Sequence, residues 1–130
     1  EGIEAEIKNR VPNHNMPTFY RQCSVYVICS RYEGNPKTLL EAMACGCAVI
    51  GTNVRGVREI IEHGKTGILV DQNVIALRQA MLDLINDRNL CLELGKAARK
   101  SVLQKHSLYV AVEAEWQAYT ALAKLGRAQK

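Results

Sequence analysis

At 130 residues, 48% hydrophobic and 23% charged, the chain has the length of one domain and enough apolar content to bury a core, which excludes a disordered segment. Its 17 Lys and Arg against 13 Asp and Glu leave a net charge of +4, which suits an anionic ligand or an acidic membrane face; with 5% aromatic residues, stacking platforms for nucleic acid are scarce. No apolar run approaches the roughly 20 residues of a membrane span, no charged-then-apolar leader follows Glu1, and the missing initiator Met suits a piece of a longer protein.

In chain order, Ile3, Ala5 and Ile7 alternate with Glu4, Glu6 and Lys8, the period of a short half-exposed strand. Pro12 to Asn15 reads as a turn, and Asn15 with Pro17 caps and starts a helix predicted to end near Gln22. Val25 to Cys29 is a continuous β-rich run, a strand covered on both faces. After a loop from Ser30 to Asn35, Leu39, Leu40, Met43 and Ala44 have helical spacing, and Gly46 closes that helix. Ala48 to Thr52 is a second buried strand, Val57 to Glu62 a short helix stopped near Gly64, and Ile68 to Val70 a further strand. Strands alternating with helices build a parallel sheet from right-handed βαβ units.

From Asn73 the pattern turns helical. Leu77, Ala80, Met81, Leu84 and Ile85 mark one amphipathic helix capped by Asn73, and Leu90, Leu94, Ala97, Ala98 and Val102 a second. Val112, Trp116, Tyr119 and Leu122 mark a third after Ser107, with Trp116 and Tyr119 predicted to pack it onto the sheet. The expected fold class is α/β: a partial doubly wound, Rossmann-like parallel sheet of about four strands, helices on both faces, and a helical C-terminal tail.

Five Cys stand at 23, 29, 45, 47 and 91, an odd number; Cys29 and Cys45 lie among apolar residues and read as reduced core thiols of a cytoplasmic protein. Cys45-Gly46-Cys47 is too tight for a C-x2-C knuckle and no His pair follows at finger spacing, so no metal site is expected. His14, His63 and His106 stand far apart, and His63 before Gly64 reads as a cation at a helix end. Lys96, Arg99, Lys100 and Lys105 form a basic stripe, read as a solvated helix face, with peripheral contact to an anionic cytoplasmic membrane face as the alternative.

The loop after Cys29 is the place for chemistry, because doubly wound sheets bind ligands where the carboxyl ends of strands meet helix N-termini. Asn35 followed by Pro36 fits a cap and first helical position, leaving the N–H groups of Lys37 and Thr38 to face an anion, while Gly34 lets a ligand approach. Glu33 and Glu41 would flank that pocket and accept hydrogen bonds from sugar hydroxyls. Thr38-x-x-Glu41 equally fits a capping box, and Glu33 a solvated loop residue. Lys37, Arg55 and Lys65 are candidates for added charge near a diphosphate or for solvated surface, with Lys37 best placed.

Glu33 and Glu41 form an E-x7-E within EGNPKTLLEAMACGCAVIGTNVRGVREIIEHGKTGILV, residues 33 to 70. This stretch resembles the donor-binding region of retaining GT-B glycosyltransferases of family 4, whose pattern runs E-G-x-x-x-x-x-L-E-A-M-A-x-G-x-P-V-[IV]-[AG]-T, then Gly-E-[IV]-[IV], then an N-G-x-L-V-like strand. Pro17 to Ser30 resembles the preceding helix and strand, and the similarity covers roughly Arg10 to Ser107. The resemblance implies one partial donor-binding domain over residues 1–130, with a βα core at 1–72 and C-terminal helices at 73–130. It also implies a catalytic position for Glu33, holding hydroxyls of the donor hexose. Glu41 would bind the ribose, and backbone groups of Gly34, Asn35, Pro36, Lys37 and Thr38 would line sugar and diphosphate. Arg10, Val11 and Pro12 would meet the base.

The departures are informative. Ala48 replaces the usual Pro, and Cys23-Ser24 the usual Ala-Asp. The family's upstream βα units, with their glycine loop and basic clamp, have no counterpart here, nor does its acceptor-binding domain, so the resemblance implies that these residues are inactive alone. It further implies open strand edges and, through them, a homodimer or a rearranged sheet edge. The expected function is therefore the donor-binding part of a retaining hexosyltransferase using a UDP-, GDP- or ADP-sugar, without cofactor or metal, since no Asp-x-Asp occurs. The alternatives are a stand-alone non-catalytic α/β interaction module of the same fold, and a sugar-nucleotide epimerase, against which the LLEAMA run argues.

Overall fold

The computed structural model describes residues 4–128. A 3-10 turn at Asn13–Asn15 leads into α1 (Met16–Gln22), β1 (Val25–Ile28), α2 (Lys37–Ala44), β2 (Ala48–Thr52), α3 (Arg55–Arg58) and β3 (Ile68–Val70). The helices α4 (Val74–Asn86), α5 (Arg88–Lys105) and α6 (Leu108–Ala128) follow. The sheet has three parallel strands in the order β1-β2-β3, with Val25 beside Ala48 and Ile50 beside Ile68. It is the α/β class expected, with one strand fewer. Residues 4 to 8 form no strand, and Ile3 lies outside the described residues. Alternation alone does not make a strand where no neighbouring strand offers backbone partners.

The central strand β2 is buried along its whole length. Its side chains alternate between two cores, as period two requires. Val49 faces Tyr20, Leu39, Met43, Val57 and Val102 on one side. Ala48 and Ile50 face Val70, Leu84, Cys91 and Leu94 on the other. Helices therefore cover both faces, with α5 reaching both cores. β1 is less enclosed than its sequence predicts, since only Ile28 is fully buried. The reason is its position: among the described residues no strand pairs with its outer edge.

Helix ends follow local chemistry. Gly46 takes φ +86 after α2 and Gly64 φ +74 in the turn before β3, conformations that favour glycine. Asn73 caps α4, its side chain accepting from the Ala76 N–H at 2.7 Å, and Asp87 caps α5 through Leu90 at 2.9 Å. At Ser107 the bond to the Val110 N–H is 3.4 Å. α1 starts after Asn15 as expected, without a side-chain cap bond.

Two expectations fail in the helical tail and among the thiols. Trp116 and Tyr119 are 65% and 69% exposed, as is most of their stripe, so α6 does not pack onto the sheet; its apolar face has no groove to fill once α4 and α5 have covered the strands. All five cysteines are free; Cys47 and Cys91 are buried, but Cys29 is exposed at the end of β1, where the chain leaves the core. His63 does not stand at a helix end, since α3 stops at Arg58. Its Nδ1 accepts from the Leu69 N–H at 3.0 Å and so satisfies a β3 amide directed away from β2. The basic stripe on α5 is partly engaged: Arg99 donates to the Ala44 carbonyl at the end of α2, and Lys105 to Glu62 at 2.7 Å. No helix among the described residues is long and apolar enough to cross a membrane.

Candidate functional site

The loop from Cys29 to Pro36 leaves the carboxyl end of β1 and is fastened from three sides. The Thr52 hydroxyl donates to the Ser30 carbonyl at 2.6 Å, and the Gly56 N–H to the Glu33 carbonyl at 3.1 Å. The Gln72 amide reaches the Arg31 carbonyl at 3.4 Å. Gly56 is required by the fit, since a Cβ there would lie 2.4 Å from the carbonyl oxygens of both Glu33 and Gly34. Sequence reasoning passed over Thr52 and Gly56.

Within the loop, Glu33 is half-buried and its Oε1 accepts from the Ser30 hydroxyl at 2.6 Å. Gly34 and Asn35 are exposed, and a Cβ on Gly34 would meet nothing within 4 Å. The protein's own packing thus does not demand glycine at 34. Pro36, not Asn35, is the cap residue of α2, and no side chain caps that end. Leu39 and Leu40 donate back to the Pro36 carbonyl, while the N–H groups of Lys37 and Thr38 have no protein acceptor among the described residues. The capping box is absent because Thr38 is the second residue of α2 rather than its cap, and both side chains of the box are engaged elsewhere.

Those partners are two tyrosines beneath α2. The Tyr26 hydroxyl donates to Thr38 Oγ1 at 2.8 Å, and the Tyr20 hydroxyl to Glu41 Oε2 at 3.3 Å. The two rings meet edge to face at 5.8 Å. Burial pushes both phenols up: the Glu41 carboxylate adds at Tyr20, while at Tyr26 the Thr38 bond opposes and the Glu33 and Glu41 carboxylates add. Both therefore stay neutral donors at ordinary pH.

Glu41 is itself exposed and lines a cleft of about 280 Å³ between α1 and α2, with Asn13, Met16, Tyr20 and Ala44. A second cleft of about 270 Å³ lies over the strand ends, walled by Ser30, Arg31, Thr52, Gln72 and Val74. The structure brings Glu33, Gly34, Asn35, Pro36, Lys37, Thr38 and Glu41 onto one loop and helix start. Arg10, Val11 and Pro12 are set apart on the lead-in to α1. Val11 lines a separate cleft with Lys8 and Phe19, and the Pro12 carbonyl accepts from Asn15. Arg55 pairs with Glu59 and Lys65 with Glu62, which leaves Lys37 as the cation at the start of α2. A larger cleft, about 640 Å³ with Arg21, Ser24, Leu84 and Arg88, sits at the amino end of β1, away from this loop. Among the described residues no cluster of His, Cys, Asp or Glu has metal-binding geometry.

Comparison with known proteins places this geometry in context. The family model described as "Glycosyl transferases group 1" matches residues 2–101. N-acetyl-alpha-D-glucosaminyl L-malate synthase of Bacillus anthracis is 34% identical over 92 residues, 70% of this chain and 24% of that protein. Sucrose-phosphate synthase from Thermosynechococcus elongatus superposes with a TM-score of 0.84 at 28% identity, over 89% of this chain and 29% of that one. A TarM mutant of S. aureus, solved with fondaparinux, alpha-GlcNAc-glycerol and UDP, superposes with a TM-score of 0.74 at 26% identity, over 79% of this chain and 21% of that one. The chain spans about a quarter of the length of the curated relatives it matches.

Proposed function

Since the chain belongs to the glycosyl transferases group 1 family, we propose that it is the donor-binding part of a retaining glycosyltransferase and takes a nucleotide-diphosphate sugar along the segment from Glu33 to Glu41. The observation that carries this reading is the start of α2. Its Lys37 and Thr38 N–H groups are unpaired among the described residues, they stand between two carboxylates, and the space over Gly34 is open. Unpaired amides at a helix N-terminus favour a phosphate, and the helix dipole adds to the attraction. A solved relative of this chain holds UDP.

In this reading the diphosphate lies on the α2 amides with Lys37 beside it. Glu33, held by Ser30, accepts hydrogen bonds from hexose hydroxyls. Glu41 accepts them from the ribose across the α1–α2 cleft. In the intact enzyme an acceptor hydroxyl attacks the anomeric carbon on the face from which the diphosphate departs and gives its proton to the departing phosphate oxygen, so configuration is retained. The amides and the Lys37 ammonium stabilise the negative charge that builds on the leaving group. Glu33 orients the sugar rather than bonding to it.

Saturation-transfer NMR on the purified chain tests this. UDP, GDP, ADP and their hexose conjugates are screened against the wild type and Glu41→Ala. The expected result is transfer to one nucleotide series that is lost in the variant. Absence of transfer at millimolar ligand from folded protein would favour a non-catalytic interaction module of the same fold.

A further inference from the structure

Tyr20 is 3% exposed, deep in the core under α2. A phenylalanine would fill the same space without bringing a hydroxyl that must find a partner, and a buried hydroxyl without one is costly. Here the partner is Oε2 of Glu41, on the wall of the α1–α2 cleft that Tyr20 also lines. The neighbouring phenol repeats the arrangement one turn earlier, Tyr26 bonding Thr38, and the two rings pack as one unit. A Glu side chain on an exposed helix face otherwise samples several rotamers, and fixing one on binding costs affinity.

We infer that Tyr20 is a positioning residue for the donor nucleotide, its hydroxyl holding the Glu41 carboxylate ready for the ribose hydroxyls. This rests on the reading of Glu41 as the ribose contact. Tyr20 touches no substrate; it acts through Glu41 and lowers the ordering that binding requires.

The test compares two ligands in one sample. Whichever of UDP, GDP or ADP binds the chain is titrated beside its 2′,3′-dideoxy counterpart, with wild type, Tyr20→Phe, Glu41→Ala and the double variant. The ratio of the two affinities does not depend on the fraction of protein folded. Tyr20→Phe is expected to weaken the ribonucleotide about 3- to 10-fold, leave the dideoxynucleotide unchanged, and add nothing in the Glu41→Ala background. Equal weakening of both ligands, or of neither, would reduce Tyr20 to a core filler and overturn the inference. A wild type that does not discriminate the two ligands, or binds neither, would instead overturn the ribose reading of Glu41 itself, and Tyr20 with it.

Discussion

Gly56 never faces the open side of the candidate site, yet it sets the path of the Glu33 loop through a backbone-to-backbone fit. Gly56→Ala must push that loop aside or move α3. Nucleotide binding is expected to be lost with a stability decrease of roughly 1–3 kcal/mol, read by the NMR screen and by urea unfolding; wild-type affinity in the variant would refute the fit. Ser30→Ala should leave folding near wild type, because Thr52 bonds the Ser30 carbonyl rather than its side chain. It releases the Glu33 carboxylate, and an affinity loss of about 3- to 10-fold for the hexose conjugate, with none for the bare nucleotide, is expected in a titration. Cys47 carries a pH prediction. Burial first, then the neighbouring thiols, push it up from 9.0 to about 11. The folded chain therefore keeps a proton that the unfolded chain releases, so stability is complete below pH 9 and falls as pH rises through 11. Cys91, Tyr20 and Tyr26 are raised as well and act with the same sign. Cys47→Ala, at a cost of roughly 1 kcal/mol near neutrality, should flatten the alkaline loss; an unchanged slope in urea melts from pH 8 to 11 would refute it.

Among the elements, those legible in the sequence are the ones whose pattern and burial agree. The run Ala48 to Thr52 is apolar because β2 is central, and Asn73 announces α4 because its side chain does cap it. Ile3 to Ile7 shows the limit of periodicity, since whether alternation becomes a strand depends on a partner that the segment does not contain. The E-x7-E spacing and its resemblance are visible in the sequence, but the contacts of Tyr20, Tyr26, Thr52 and Gly56 are not. They act through contacts 12 to 23 residues away in sequence: Tyr26 on Thr38, Gly56 on Glu33. The α6 stripe misled for the same reason, because helical spacing of apolar residues says that a face wants cover and not that this chain supplies it. Among the described residues, neither core contains one from α6. Deleting residues 108–130 should thus shift the thermal midpoint by no more than about 4 °C and reduce self-association; a larger drop in a melting scan would show that α6 supports the fold.

For the molecule as a whole, the open side of β1 is the dominant feature. The Ala48 N–H donates to the Ser24 carbonyl at 3.0 Å, and alternation along a parallel ladder then turns the Val25 and Val27 amides outward, where no described strand meets them. An unpaired edge recruits another chain. We expect the isolated protein to dimerise at tens of micromolar in analytical ultracentrifugation, and a single monomeric species across the range would discard that expectation. The fastening of the Glu33 loop reaches further than binding. Thr52, Gly56 and Gln72 hold it in place, whereas the side chains of Arg31, Tyr32 and Asn35 are exposed and make no hydrogen bond among the described residues. On the proposed function, a library built to change sugar preference can therefore vary those outward positions while leaving the three anchors alone, so that new specificities are sampled on a scaffold that still folds.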